Sequence, residues 1–123
     1  MPKPATVDAY VAAGPAEHQP ALSKLRALIR EHLPRADESM GPNGFPVYTD
    51  GGAPWIAGFA WRAKGPVLYV MNAGVVDRYA DRLGSLRSGK SCVEWRATKA
   101  TSMEDLTDVA GQMLRDAAKA WAS

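Results

Sequence analysis

The residues whose types and spacing most resemble a chemical motif lie between Gly84 and Ser91. The stretch Gly-Ser-Leu-Arg-Ser-Gly-Lys-Ser fits the phosphate-binding pattern G-x-x-x-x-G-K-[ST] at every fixed position. In proteins that use this pattern a strand enters the loop and a helix leaves it, so that backbone N–H groups and the positive end of the helix dipole converge on the phosphates. Taken alone, the pattern predicts a phosphate- or nucleotide-binding enzyme.

The residues on either side of this loop predict the opposite order of elements. Apolar residues repeat at helical spacing before the loop, at Val75, Val76, Tyr79 and Leu83. Residues 92–96 alternate after it, as a half-buried strand does. No helix N-terminus would then face a bound anion, so we expect residues 84–91 to form a solvated loop. The alternative is a phosphate or nucleotide site at this loop, with Arg87, Lys90 and Ser91 as its ligands.

Other patterns that could support catalysis or metal binding are sparse. The two histidines, His18 and His32, belong to no metal-ligand motif. The single cysteine, Cys92, lies in a strand pattern with no histidine near it in the sequence, which indicates a buried thiol rather than a nucleophile. No catalytic residue is therefore predicted. Three acids could offer oxygen ligands to iron or magnesium, although we expect them to be solvated: Glu31, Asp37 and Glu38.

Aromatic side chains are the remaining candidates for ligand contact. The four tryptophans could line a groove or stack on a partner, although most are expected in the core: Trp55, Trp61, Trp95 and Trp121. Phe45 lies in a glycine- and proline-rich stretch whose loops could reach a ligand. The predicted ligand-binding residues are Phe45, Trp61, Arg87, Lys90 and Ser91.

The elements that must position these residues are helices at both ends of the chain and strands between them. Thr6 is a predicted N-cap of the first helix, and a second amphipathic helix ends at Pro34. The glycines and prolines of residues 37–50 predict one irregular strand, and a turn at residues 64–66 joins two further strands into a hairpin. After the strand at 92–96, a capping box at residues 101–104 begins the last helix. This order predicts an α+β fold with helices packed on an antiparallel sheet.

The length and charge of the chain bound its class. The 123 residues suit one domain, placed at residues 1–123, and a formal net charge of +2 is too small for non-specific nucleic-acid binding. The N-terminus lacks the apolar run of a signal peptide, and no run is long enough to span a membrane. We therefore expect a cytoplasmic protein that binds a small ligand or a protein, with no nucleic-acid or membrane partner. Exposed aromatic side chains or an unpaired edge strand would support a homodimer.

Several segments together resemble the YdhG-like domain family, small bacterial domains of which some are described as iron-chaperone or frataxin-like proteins. Residues 88–93, Ser-Gly-Lys-Ser-Cys-Val, resemble the T-G-K-[SG]-C-L stretch of the family, and residues 44–46 resemble its G-M-P turn. The opening helices and the central hairpin of the family are similar to residues 7–13, 25–29, 55–59 and 68–71. The resemblance implies an α-β(3)-α-β(2)-α arrangement like that of secretion chaperones.

The sequence also departs from this family, and the resemblance supplies no catalytic residues. Asn43 stands where the family commonly has a tyrosine, and the stretch after Glu38 carries one inserted residue. The resemblance implies a non-enzymatic protein that binds a ligand or metal or acts as a chaperone. Iron is the metal that the family's descriptions suggest.

Overall fold

Helices from both ends of the chain pack against one antiparallel sheet in the computed structural model, which describes residues 4–51 and 54–122. Within these residues the α-helices are α1 (Val7–Ala13), α2 (Gln19–His32), α3 (Ala73–Arg78), α4 (Ala80–Leu83) and α5 (Met103–Ala122), and short 3₁₀ helices lie at Ala16–His18 and Gly84–Leu86. The strands are β1 (Asp37–Met40), β2 (Pro46–Thr49), β3 (Ala57–Arg62), β4 (Gly65–Val70) and β5 (Cys92–Glu94). The predicted α+β class is confirmed. None of the helices described here is both long and apolar enough to cross a membrane.

The five strands lie in the order β1-β2-β3-β4-β5, and each is antiparallel to the next. The prediction of one irregular strand over residues 37–50 is wrong, because the chain turns back between Gly41 and Gly44. Gly44 adopts a φ of 84°, and the Gly41 N–H donates to the Phe45 carbonyl at 2.8 Å. Four strands therefore precede α3 and one follows α4, where the resemblance implied three and two. A single bridge pairs Arg87 with Val93 beside β5.

The helices cover the sheet face that carries Phe59 and Leu68, which pair across β3 and β4. Both side chains are fully buried. Three residues of α2 at spacings of three and four are also fully buried, which confirms the predicted amphipathic helix: Leu22, Leu25 and Ile29. Each such side chain stabilises the fold by roughly 1.5–3 kcal/mol through its removal from water. The core therefore lies between this face and helices α2 and α5.

The helix ends follow local hydrogen bonding. The Thr6 hydroxyl accepts the Ala9 N–H at 3.1 Å, as predicted for an N-cap. The predicted capping box at residues 101–104 is wrong by one residue, because the Ser102 hydroxyl accepts the Asp105 N–H at 3.1 Å. The predicted helix over residues 75–83 is divided between α3 and α4 at Tyr79. Gly84 ends α4 at a φ of 55°.

One carboxylate joins the β1–β2 hairpin to the helices. Glu38 on β1 accepts hydrogen bonds from Arg26 Nε at 3.0 Å and Nη2 at 2.7 Å, and from the Tyr48 hydroxyl at 2.6 Å. Arg26 lies on α2 and also pairs with Asp8 of α1. Burial opposes the charge of Glu38, but the hydrogen bonds from Arg26 and Tyr48 outweigh it and hold the pKa of Glu38 below its usual range. This network links α1, α2, β1 and β2.

The Glu38→Gln substitution should lower the free energy of unfolding by about 2 kcal/mol at pH 7, because it removes the charge that strengthens three hydrogen bonds. The folded-state pKa of Glu38 lies below its unfolded value, so this stabilisation is complete above roughly pH 4.3 and is lost as the pH falls through the folded-state pKa. Urea unfolding of both proteins from pH 7 downwards measures the difference, which should shrink with falling pH.

Glu31→Gln is the matched control. Glu31 lies on α2 with a side chain that is 69% exposed, and its carboxylate lies 3.2 Å from His32 Nε2. We expect this control to change stability by less than about 0.5 kcal/mol. Equal stabilities for the two variants, or a Glu38→Gln effect that does not depend on pH, would contradict the role assigned to the network.

Candidate functional site

The face of the sheet opposite the helices, called the outer face here, carries a separate set of side chains. Successive side chains of a strand alternate between faces, so the neighbours of Phe59 and Leu68 point outward. These outward residues pair as Gly58 with Tyr69, Ala60 with Val67, and Arg62 with Gly65, and Tyr69 also pairs with Cys92. Because the Arg62 side chain bonds to the Tyr69 hydroxyl, the two long side chains cover the row between them. Ala60 is accordingly only 1% exposed and Val67 only 8%.

Three aromatic rings meet on the outer face and form the outer aromatic cluster: Phe45, Trp55 and Tyr69. Phe45 stacks on Tyr69 with ring centroids 5.1 Å apart and an interplanar angle of 28°. Trp55 stands edge-on to both, at 5.5 Å from Phe45 and 5.9 Å from Tyr69. These offset and edge-to-face arrangements are the favourable geometries for aromatic rings, and each pair adds roughly 0.5–1.5 kcal/mol beyond burial. The cluster is an ordered surface, not a set of independent side chains.

Arg62 extends this cluster with a positive charge. Its guanidinium carbon lies 5.4 Å from the Phe45 ring centroid and 5.9 Å from that of Tyr69. Arg62 Nε and Nη2 donate to the Tyr69 hydroxyl at 3.0 and 2.9 Å. Within the part of the chain that is described, Arg62 has no carboxylate partner. The aromatic rings therefore hold an arginine whose charge is not neutralised.

A cavity of about 260 Å³ adjoins the cluster, and Arg62 and Tyr69 form part of its wall. Further lining residues are Lys64, Val67, Ser88, Cys92 and Glu94. Glu94 pairs with Arg96, with Nε 3.3 Å from Oε1. Burial raises the pKa of the Cys92 thiol, while the charge of Arg62 and a hydrogen bond from the Ser91 N–H oppose this effect more weakly. The thiol is therefore protonated at neutral pH and is a weak nucleophile.

Gly58 allows Trp55 to lie on the sheet. A Cβ atom at Gly58 would stand 3.0 Å from Trp55 Cζ3 and 2.7 Å from the Pro46 carbonyl oxygen. Both distances are shorter than an ordinary van der Waals contact, and the second involves backbone that cannot rotate away. A larger residue at position 58 would therefore displace the indole or separate β2 from β3.

The predicted ligand-binding residues do not converge. Phe45 belongs to the outer aromatic cluster. Trp61 lies on the opposite face of the sheet, where its ring centroid is 6.5 Å from that of Tyr10 and its buried Nε1 has no acceptor among the described residues. The sequence did not single out Arg62 or Tyr69. The alternation of side chains along β3 and β4 could have placed both residues on one face of the sheet. Their contact, however, depends on the register between the two strands.

In the loop that resembles a phosphate-binding motif, backbone carbonyl groups point toward the Arg87 side chain. Arg87 donates to the carbonyl oxygens of Gly89 and Lys90, both at 3.0 Å, and pairs with Asp77 at 2.6 Å. The Ser91 carbonyl accepts the Val70 N–H at 3.0 Å, and the Lys90 side chain is exposed. Helix α4 precedes the loop and β5 follows it, which confirms the predicted order. The loop therefore does not lead into the N-terminus of a helix, as the phosphate-binding pattern requires.

Comparison with known proteins adds no relative, since no protein-family model, curated protein or solved structure matches this chain. The resemblance to YdhG-like domains stays a prediction. The identification of the site rests on geometry and charge.

The Gly58→Ala substitution should lower the free energy of unfolding by about 1–3 kcal/mol, because the added methyl group overpacks the contact with Pro46 and Trp55. Urea unfolding measures this loss. Gly74→Ala is the control, since a Cβ there would meet only Asn72 Oδ1 at 3.4 Å and alanine favours the helix. The control should be neutral or slightly stabilising. Equal effects of the two substitutions would contradict the close packing of Trp55 on the sheet.

Magnesium and ATP together should leave the melting temperature unchanged, because the loop at residues 84–91 directs carbonyl groups inward. A ligand present at a hundredfold excess over its Kd would add about 2.7 kcal/mol to stability, so thermal unfolding detects specific binding readily. Lys90→Ala is the matched variant. A rise in melting temperature that this variant abolishes would restore the nucleotide-binding alternative.

Proposed function

We propose that this chain is a non-enzymatic binding domain whose ligand site is the outer aromatic cluster, together with Arg62 and the adjoining cavity. The observation that carries the proposal is Arg62 itself. Its guanidinium packs on Phe45 and Tyr69, reaches the cavity and has no carboxylate partner among the residues described. Proteins usually neutralise ordered arginines internally or use them to recognise a partner.

The composition of the cavity supports binding over catalysis. A nucleophile needs a base within hydrogen-bonding reach, and the cavity wall contains one thiol, that of Cys92, and one carboxylate, that of Glu94. The pKa of Cys92 is raised by burial, and Glu94 is paired with Arg96. His18 and His32, the histidines of the chain, are not among the lining residues. A binding role uses the donors and rings of this site without requiring a proton acceptor.

Iron handling, which the YdhG-like resemblance suggests, has less support than the binding of a small ligand. Over residues 4–51 and 54–122, no three His, Cys, Asp or Glu side chains form a group that could hold a metal ion. The outer face also offers aromatic and cationic groups, which do not suit a bare cation. A small ligand fits these groups better, and a cytoplasmic location belongs to the same proposal.

Mapping by NMR tests the proposal. A panel of small aromatic compounds, including acids, amides and amines, is added to isotope-labelled protein and the amide shifts are followed. We expect the shifts that move to cluster on β3, β4 and β5, around Gly58, Tyr69 and Cys92. Stacking on an aromatic residue contributes on the order of 1 kcal/mol, so weak but saturable binding is expected.

Two tryptophan substitutions provide the comparison. Trp55→Ala should weaken binding of the panel, whereas Trp121→Ala should not, because Trp121 is 38% exposed near the end of α5 and lines a different cavity. Shifts that move at residues 84–91 or around Trp121 instead, or a panel that moves no shift at all, would refute the proposed site.

A further inference from the structure

Resting on the proposed binding function, we infer that the ligand is a small organic carboxylate with a planar apolar body, held by Arg62 and Lys64 in the cavity beside Tyr69. Both cationic side chains line this cavity, and within the described part of the chain neither has a carboxylate partner. Glu94, the acid in the wall, is already paired with Arg96 at 3.3 Å. The cavity therefore carries an excess of positive charge that an anion would neutralise.

Arg62 keeps a donor nitrogen for such a contact. Nε and Nη2 donate to the Tyr69 hydroxyl, which leaves Nη1 without a partner among the described residues. The guanidinium packs against the Phe45 and Tyr69 rings, so part of its side-chain freedom is already lost before a ligand binds. Hydrogen bonds between ionised groups are roughly twice as strong as neutral ones. A carboxylate therefore suits the open side of Arg62 better than a neutral acceptor.

The rest of the cavity suits a flat apolar body. Tyr69 and Val67 provide apolar wall on the sheet, and the protonated Cys92 thiol lies beside them. The Ser88 hydroxyl lines the cavity from the loop and can donate a further hydrogen bond. A volume of about 260 Å³ lies below the roughly 300–1,000 Å³ of sites for drug-sized ligands. The site therefore suits a single-ring acid.

Three probes separate the parts of this inference: benzoate, benzamide and inorganic phosphate. Affinities come from NMR titration of the full chain at constant ionic strength. We expect benzoate to bind at least about tenfold more tightly than benzamide, which has the same ring without the charge. Benzoate should also bind more tightly than phosphate, which has charge without the ring.

Substitutions assign the effect to residues. Arg62→Gln should weaken benzoate binding about tenfold and leave benzamide binding within about twofold, since only the charged contact is lost. Lys64→Gln should act in the same direction to a smaller extent, and it covers the case in which Arg62→Gln disturbs the fold. Arg115→Gln is the control for net charge, because Arg115 lies on α5 with an exposed side chain, away from the outer face. It should leave both affinities unchanged.

The outcomes distinguish this inference from the function on which it rests. If benzoate and benzamide bind the outer face equally, or if benzoate binding survives both Arg62→Gln and Lys64→Gln, the anionic ligand is refuted and the binding site stands. If phosphate binds as tightly as benzoate, the planar body is refuted. If none of the probes, nor any compound of the aromatic panel, moves the outer-face shifts, the proposed function fails as well.

Discussion

The hydrogen-bonded carboxylate of Glu38 fixes the geometry on which the rest of the outer surface depends. Within the β1–β2 hairpin it joins β1 to β2 through Tyr48, and it joins the hairpin to α2 through Arg26. Phe45 lies at the turn of that hairpin and stacks on Tyr69 from the next hairpin. The same hairpin thus carries a polar contact on the helix side of the sheet and an aromatic ring on the other side.

The two faces of the sheet have different roles. On the helix side, large apolar side chains such as Phe59 and Leu68 are fully buried and supply the hydrophobic free energy of folding. On the outer side, small residues at Gly58 and Ala60 lie beneath long side chains that cover the backbone without help from a second layer. Rings and a guanidinium can therefore remain ordered at the surface, which is what recognition of a small ligand requires.

Features governed by neighbouring residues were predictable from the sequence. The Thr6 cap and the order of elements around residue 89 depend on contacts within a few positions. Residues 37–50 were misassigned because two strands of four residues are too short to show alternation, and glycine turns interrupt them. Of the outer aromatic cluster, the sequence had singled out Phe45 and Trp55 as candidates for ligand contact. Arg62 and Tyr69 were missed because their contact arises from pairing between strands, which spacing along one strand does not reveal.

The chain folds back on itself between Arg87 and Val93, which limits how copies of the protein can associate through the edges of the sheet. The bridge from Arg87 to Val93 and the bond from the Ser88 N–H to the Cys92 carbonyl cover one edge of the sheet. The other edge is β1, a strand of four residues with an exposed acid at Asp37. Continuous growth of a sheet from molecule to molecule needs two open edges on each copy. Pairing through β1 would join two chains and leave no open edge for a third. This arrangement therefore protects the protein against fibrous aggregation.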